Sequence, residues 1–174
     1  MLQLSKTLMD RPVMSLRTGG RVATATAPII NPNNLKIEGW YCHDHFSKNT
    51  LVLLSQDVRD IIGQGLVIND HENLSEIEDL VRLKDVLDLN FELLGKPVVT
   101  INKKRYGKVS DFAVETETFY IQKIYVSQSI MRSLNGGNLG VDRSQIVEIT
   151  HHKIVIQDPL KPVKASASTA PAVG

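Results

Sequence analysis

Thiolate and imidazole are good zinc ligands, and the chain sets one cysteine and two histidines in a single short run, Cys42-His-Asp-His45. A metal held there would draw on Cys42, His43 and His45. The run continues an alternating strand pattern, however, and adjacent strand residues point to opposite faces of a sheet. No second ligand pair stands elsewhere at a structural zinc spacing, so the expectation is a buried cysteine beside a polar loop and no bound metal. His151-His152 falls between two apolar runs and reads as a turn.

The densest cationic stretch is Lys103, Lys104, Arg105, Tyr106 and Lys108. Cations beside an aromatic ring can meet phosphate or stack a base, which makes this the candidate interaction patch. Asp111, Glu115 and Glu117 follow closely and offset its field, as they would at a solvated hairpin tip. The carboxylates of Glu76 to Asp79 occupy a helix start, where the helix dipole accounts for them without acid–base chemistry. Gly-x-Ser-x-Gly, His-Glu-x-x-His, phosphate-loop and dinucleotide fingerprints are absent from the sequence, so no catalytic residue, no cofactor and no enzymatic activity are expected.

The elements that position these residues come in two copies. Arg11-Pro-Val-Met-Ser-Leu16 returns as Lys96-Pro-Val-Val-Thr-Ile101, an offset of 85 from Pro12 to Pro97. Leu35 to Cys42 is answered by Thr118 to Val126, with Ile121 over Ile37 and an offset of 84 from Cys42 to Val126, which pairs Trp40 with Ile124 and Tyr41 with Tyr125. Val58-Arg-Asp-Ile61 is answered by Ile146-Val-Glu-Ile149. Leu66-Val-Ile-Asn-Asp70 is answered by Ile154-Val-Ile-Gln-Asp158, the offset having drifted to 88. Each copy alternates at period two between Gly-, Asn- and Pro-rich turns, the pattern of short strands.

Within this frame, Ser5 is placed as the N-cap of one helical turn ahead of Asp10. Thr18-Gly-Gly20 and Asn102 to Arg105 mark hairpin turns, and Pro28 ends the strand that begins at Arg21. Ser75-Glu-Ile-Glu78 carries a capping-box spacing and opens one or two short helices that join the copies. The region from Ser127 to Leu139 reads as a loop. From Pro159 the chain turns to small residues and proline without periodicity, the composition of a disordered tail.

The 174 residues carry a net charge of +1, which calls for neither nucleic acid nor an anionic membrane as an obligatory partner. One cysteine excludes an internal disulfide and fits a reducing compartment. No stretch has the roughly 18 consecutive apolar residues of a spanning helix, and the first ten residues do not read as a signal peptide.

Leu94-Gly-Lys-Pro-Val-Val99, then Tyr106-Gly-Lys-Val-Ser-Asp111 and Phe119-Tyr-Ile-Gln-Lys-Ile124, resemble the PRC-barrel domain. The first copy resembles it more faintly, through Arg11 to Leu16 and Ile37 to Tyr41, and sets Arg21-Val-Ala-Thr-Ala25 where the second has Gly107-Lys-Val-Ser-Asp111. The resemblance implies a binding and adaptor role, with partners that range from ribosomal protein to membrane-protein subunits, and no catalytic machinery.

The expectation is therefore a mainly β chain of two tandem small antiparallel β-barrels with short connecting helices. The modules span 1–72 and 91–159, with a helical connector at 73–90 and a tail at 160–174. Its function would be that of a cytoplasmic adaptor whose protein partner binds the groove between modules. The alternative is an RNA- or ribosome-associated assembly factor using the Lys103 to Lys108 hairpin, with no DNA partner and no transmembrane segment.

Overall fold

The computed structural model describes residues 1–63, 65–128 and 138–158. The 160–174 stretch read as a disordered tail lies outside them, as does most of the Ser127 to Leu139 loop. In chain order the strands are β1 (Leu2–Leu4), β2 (Arg11–Ser15), β3 (Arg21–Asn31), β4 (Lys36–Asp44), β5 (Thr50–Leu54), β6 (Val58–Ile62), β7 (Gly65–Ile68) and β8 (Leu74–Ser75). After the helix α1 (Lys84–Leu89) come β9 (Pro97–Thr100), β10 (Arg105–Glu115), β11 (Ile121–Ser127), β12 (Asn138–Asp142), β13 (Ile146–Ile149) and β14 (Ile154–Ile156).

The duplication is legible in the strand order. The first sheet runs β6-β7-β2-β3-β4-β5 and ends on β8; the second runs β13-β14-β9-β10-β11-β12, with β1 attached to β10. Six strands therefore repeat in the same order. The sheets are mixed rather than antiparallel, because β7 lies parallel to β2 and β14 parallel to β9. The physical reason is the route: the meander ends at one edge, and the following hairpin docks its second strand on the far side of the first.

Among the described residues no ladder closes either sheet into a barrel. Both sheets are nonetheless curled. β5 and β6 stand at opposite ends of the repeated order, about 24 Å apart in a flat sheet at ~4.8 Å per strand. Only the 3-10 turn Ser55–Asp57 joins them, a reach of at most about 14 Å. Arg143–Gln145 joins β12 to β13 under the same constraint.

Register repeats in detail as well. The β3–β4 ladder slips between Ala25 and Ala27 and the β10–β11 ladder between Val109 and Asp111. At these bulges Thr26 Oγ1 donates to Tyr41 O at 3.0 Å and Ser110 Oγ to Tyr125 O at 3.2 Å. The structure thus matches Arg21 to Arg105 at an offset of 84. Gly107 consequently answers Ala23, and not Arg21 as the linear alignment sets it.

The two copies meet through equivalent hairpins. Leu35 (φ 53°) and Phe119 (φ 60°), 84 residues apart, both adopt left-handed backbone at the hairpin ends, uncommon for such residues. Ile37 N donates to Phe119 O at 2.9 Å and Ile121 N to Leu35 O at 2.8 Å, while Lys36 bridges to Tyr120. Every member of this set is its partner's equivalent, the reciprocity of a twofold axis within one chain. Arg143 adds an asymmetric staple: its Nη2 donates to Asn34 O at 2.6 Å and its guanidinium sits 5.0 Å from the Tyr120 ring centre. One apolar core runs through both copies. It includes Trp40, Ile124, Ile37, Ile121 and Phe112, and the Trp40 ring meets Phe119 edge-on at 5.3 Å.

Several local readings change. β3 passes through Pro28 to Asn31, because β2 ends its pairing at Ala25 and a residue without N–H is tolerated beside an open edge. Ser5 does not cap its turn; its N–H and hydroxyl donate to buried Asp111, and β1 beside it pairs with β10 at Leu4↔Ala113. Ser75 belongs to β8 and caps nothing, and the connector is two 3-10 turns (Ile77–Asp79, Val81–Leu83) followed by α1. Capping boxes form instead at Asp70–Asn73 and Asp142–Gln145.

Candidate binding groove

The cationic hairpin is held rigidly at its base. Thr100 is buried, its N–H donates to Lys104 O at 2.9 Å, and Lys103 takes a positive φ of 62° while donating its N–H to Thr100 O at 2.9 Å. β10 then carries Arg105, Tyr106, Gly107 and Lys108 along one wall of a groove of about 830 Å³. Pro97, Val98 and Val99 supply apolar lining, and His152 and Lys153 add polar groups from the β13–β14 turn.

Of the sequence-derived patch, the structure brings Arg105, Tyr106 and Lys108 into the groove and leaves Lys103 and Lys104 outside its lining, on the exposed hairpin tip. His152 and Lys153 were missed. No local signal marks them, since their approach depends on the parallel β9–β14 pairing.

Gly107 is required by packing. It adopts φ 153°, and a Cβ there would lie 2.2 Å from Ser127 O. Partial burial raises the Tyr106 hydroxyl above its ordinary pKa, and the negative charge of Asp158 adds to the shift. The His151-His152 turn is fastened from below, where Lys96 Nζ donates to His151 O at 2.6 Å and lies 4.6 Å from the Phe91 ring centre. Burial lowers the Lys96 pKa, and Glu92 pulls it part of the way back.

A second groove, of about 550 Å³, lies between the first sheet and the connector, with Asn31, Lys36, Glu38, Asp79 and Arg82 in its lining. Neither groove lies between the two sheets, where the sequence reading sets the partner surface; the paired hairpins meet backbone to backbone there.

The Cys-His run does not converge. Cys42 is buried, its thiol pushed up to about 12 by burial against a smaller opposing effect of the Leu53 backbone. His43 is exposed on the other face of β4, and His45 Nε2 sits 3.0 Å from Thr24 Oγ1. Among the described residues no three His, Cys, Asp or Glu side chains are grouped as metal ligands.

The run's fourth member has a structural part. Asp44 is 1 % exposed; its carboxylate accepts from Ser47 Oγ at 2.6 Å and Ser47 N at 2.8 Å, and pairs with His71 Nε2 at 2.7 Å. Burial alone would raise its pKa, but the hydrogen bonds from Ser47, His71 and the Phe46 backbone together outweigh it and hold the carboxyl far below the usual range. Asp44 thus pins the β4–β5 hairpin to the 3-10 turn His71–Asn73.

No curated protein matches the chain. The family model of the PRC-barrel domain matches residues 89–159, the stretch that holds β9 to β14 and the groove. The resemblance to the PRC-barrel domain thus falls on the second repeat and covers 89–159 of the 174 residues.

Proposed function

We propose that the chain is a non-catalytic, cytoplasmic adaptor that binds acidic, extended protein segments in the groove of its second sheet. The observation that carries this reading is the groove itself: an apolar lining from Pro97, Val98 and Val99 beside the cations Arg105, Lys108 and Lys153. Such a surface suits a peptide that brings both carboxylates and aliphatic side chains. The PRC-barrel match of residues 89–159 supports a binding module. We read both repeats as modules of this type, on the shared strand order and the curl imposed by the short β5–β6 and β12–β13 connections. A lone free cysteine suits a reducing compartment.

The competing reading is an RNA- or ribosome-associated factor, favoured by Tyr106 standing among cations. It has less support, because sequence-tolerant single-strand binding draws on several stacking aromatics, and among the described residues the lining offers Tyr106 and one imidazole, His152. The test is fluorescence anisotropy with a labelled acidic-aliphatic peptide and a labelled single-stranded RNA of equal charge, on the full chain and on Lys108→Glu/Lys153→Glu. Peptide binding that weakens at least about tenfold in the variant supports the adaptor reading. Unchanged peptide binding overturns it, and tighter binding of the RNA with a steep salt dependence replaces it with the alternative.

A further inference from the structure

The connector between the sheets carries the opposite charge. Glu76, Glu78, Asp79, Asp85 and Asp88 face only Arg82 and Lys84 over residues 76–90, and no residue of its two turns or of α1 is buried. Apolar side chains stand among these carboxylates, with Val81 78 % exposed and Leu89 43 % exposed. Among the described residues none of the five carboxylates forms an ion pair, and neither do Lys108 and Lys153 in the groove. One chain thus presents an acidic, partly apolar projection and an apolar-lined groove in which Lys108 and Lys153 form no ion pair among the described residues.

We propose that the groove of one copy takes the acidic connector of a second copy, head to tail. This rests on the groove's being a site for acidic segments and names its occupant. Within a chain α1 packs against β3 of the first sheet, so the complementary surfaces are offered to neighbours. A net charge of +1 lets two copies approach without overall repulsion while the opposed patches set their orientation. The contact is heterologous, so it builds open chains or closed rings rather than a symmetric pair.

Sedimentation velocity on the full chain tests it at about 20 mM and about 500 mM salt, where screening lengths differ severalfold. The expected result is association at low salt that is lost at high salt, in Lys108→Glu/Lys153→Glu, and in Glu78→Lys/Asp79→Lys. Mixing the two variants should restore it, since each then offers the surface the other needs. All four substituted side chains are exposed, so folding is not at stake. A wild-type chain that stays monomeric at low salt, or association that Glu78→Lys/Asp79→Lys leaves unchanged, overturns the proposal. If the chain is monomeric while the labelled acidic peptide still binds in a Lys108- and Lys153-dependent way, the self-association fails and the groove reading stands. If the peptide does not bind either, both fail.

Discussion

The two sheets share a plan down to a bulge and differ in what is added to it. In the first, the outer edge of β5 carries β8, and the residue after β4 continues the pairing with β3, with His45 N donating to Val22 O at 3.0 Å and His45 Nε2 meeting Thr24 Oγ1. Asp44 locks the β4–β5 hairpin to the His71 turn. The equivalents of Arg21, Val22, Ala23 and Thr24 in the second sheet are Arg105, Tyr106, Gly107 and Lys108, which line a groove. The second sheet has its own addition, β1, which fills the space beside β10 and is held by Ser5 on Asp111. Strand order, bulge and the axis between copies repeat, while buried side chains change in kind at equivalent positions, Trp40 against Ile124 and Cys42 against Val126, and the added strands differ.

The comparison can be broken at its axis. Ile37→Ala and Ile121→Ala remove equivalent side chains, both with zero exposure, and each should cost about 3 kcal/mol in urea unfolding followed by Trp40 fluorescence. Near-equal losses in a single shared transition would express the twofold relation; a loss confined to one sheet would deny it.

Gly107→Ala and Ala23→Gly exchange residues at one equivalent position. The first forces a Cβ onto Ser127 O and should cost about 2–3 kcal/mol, the second only about 0.5–1 kcal/mol from backbone entropy. Parity between them would show that Gly107 is not a packing requirement.

Asp44→Asn should cost about 2 kcal/mol near neutral pH, as expected for hydrogen bonds to a charged group. Because the folded carboxyl lies below its unfolded value, its contribution is complete above about pH 4 and fades as pH falls. The acid limb of the stability curve should therefore be shallower in Asp44→Asn than in the wild type. Glu115, held at about 2 by the N-terminal ammonium and Thr118, acts in the same direction and remains in the variant.

Ser5→Ala should cost only about 1 kcal/mol, since Asp111 keeps the Phe112 N–H at 2.8 Å. Hydrogen exchange should quicken at β1 and at β10 residues 113–115 while β3 is unaffected; equal quickening in both sheets would deny that β1 serves the second alone.

How much of this was legible beforehand follows from the range of each interaction. Period-two alternation and turn residues are local, so β2, β3, β4, β6 and β7 and their echoes could be read, along with the correspondence of Trp40 to Ile124. β1, β8 and β12 are two to five residues long and receive their strand character from the neighbour they pair with. The Ser75 capping box failed because pairing with Val52 claimed Ser75 for β8. Of the groove, the hairpin cations could be read and His152 and Lys153 could not.

By itself, then, the sequence determined a mainly β chain, its duplication, and the residue types of the core and the cationic hairpin, because alternation and repeat are properties of neighbours along the chain. The tertiary structure alone decided that the sheets are mixed, that equivalent hairpins meet about an internal twofold, and that the N-terminal strand serves the second sheet. Those outcomes depend on hydrogen bonds between residues more than fifty positions apart, whose partners no local pattern records.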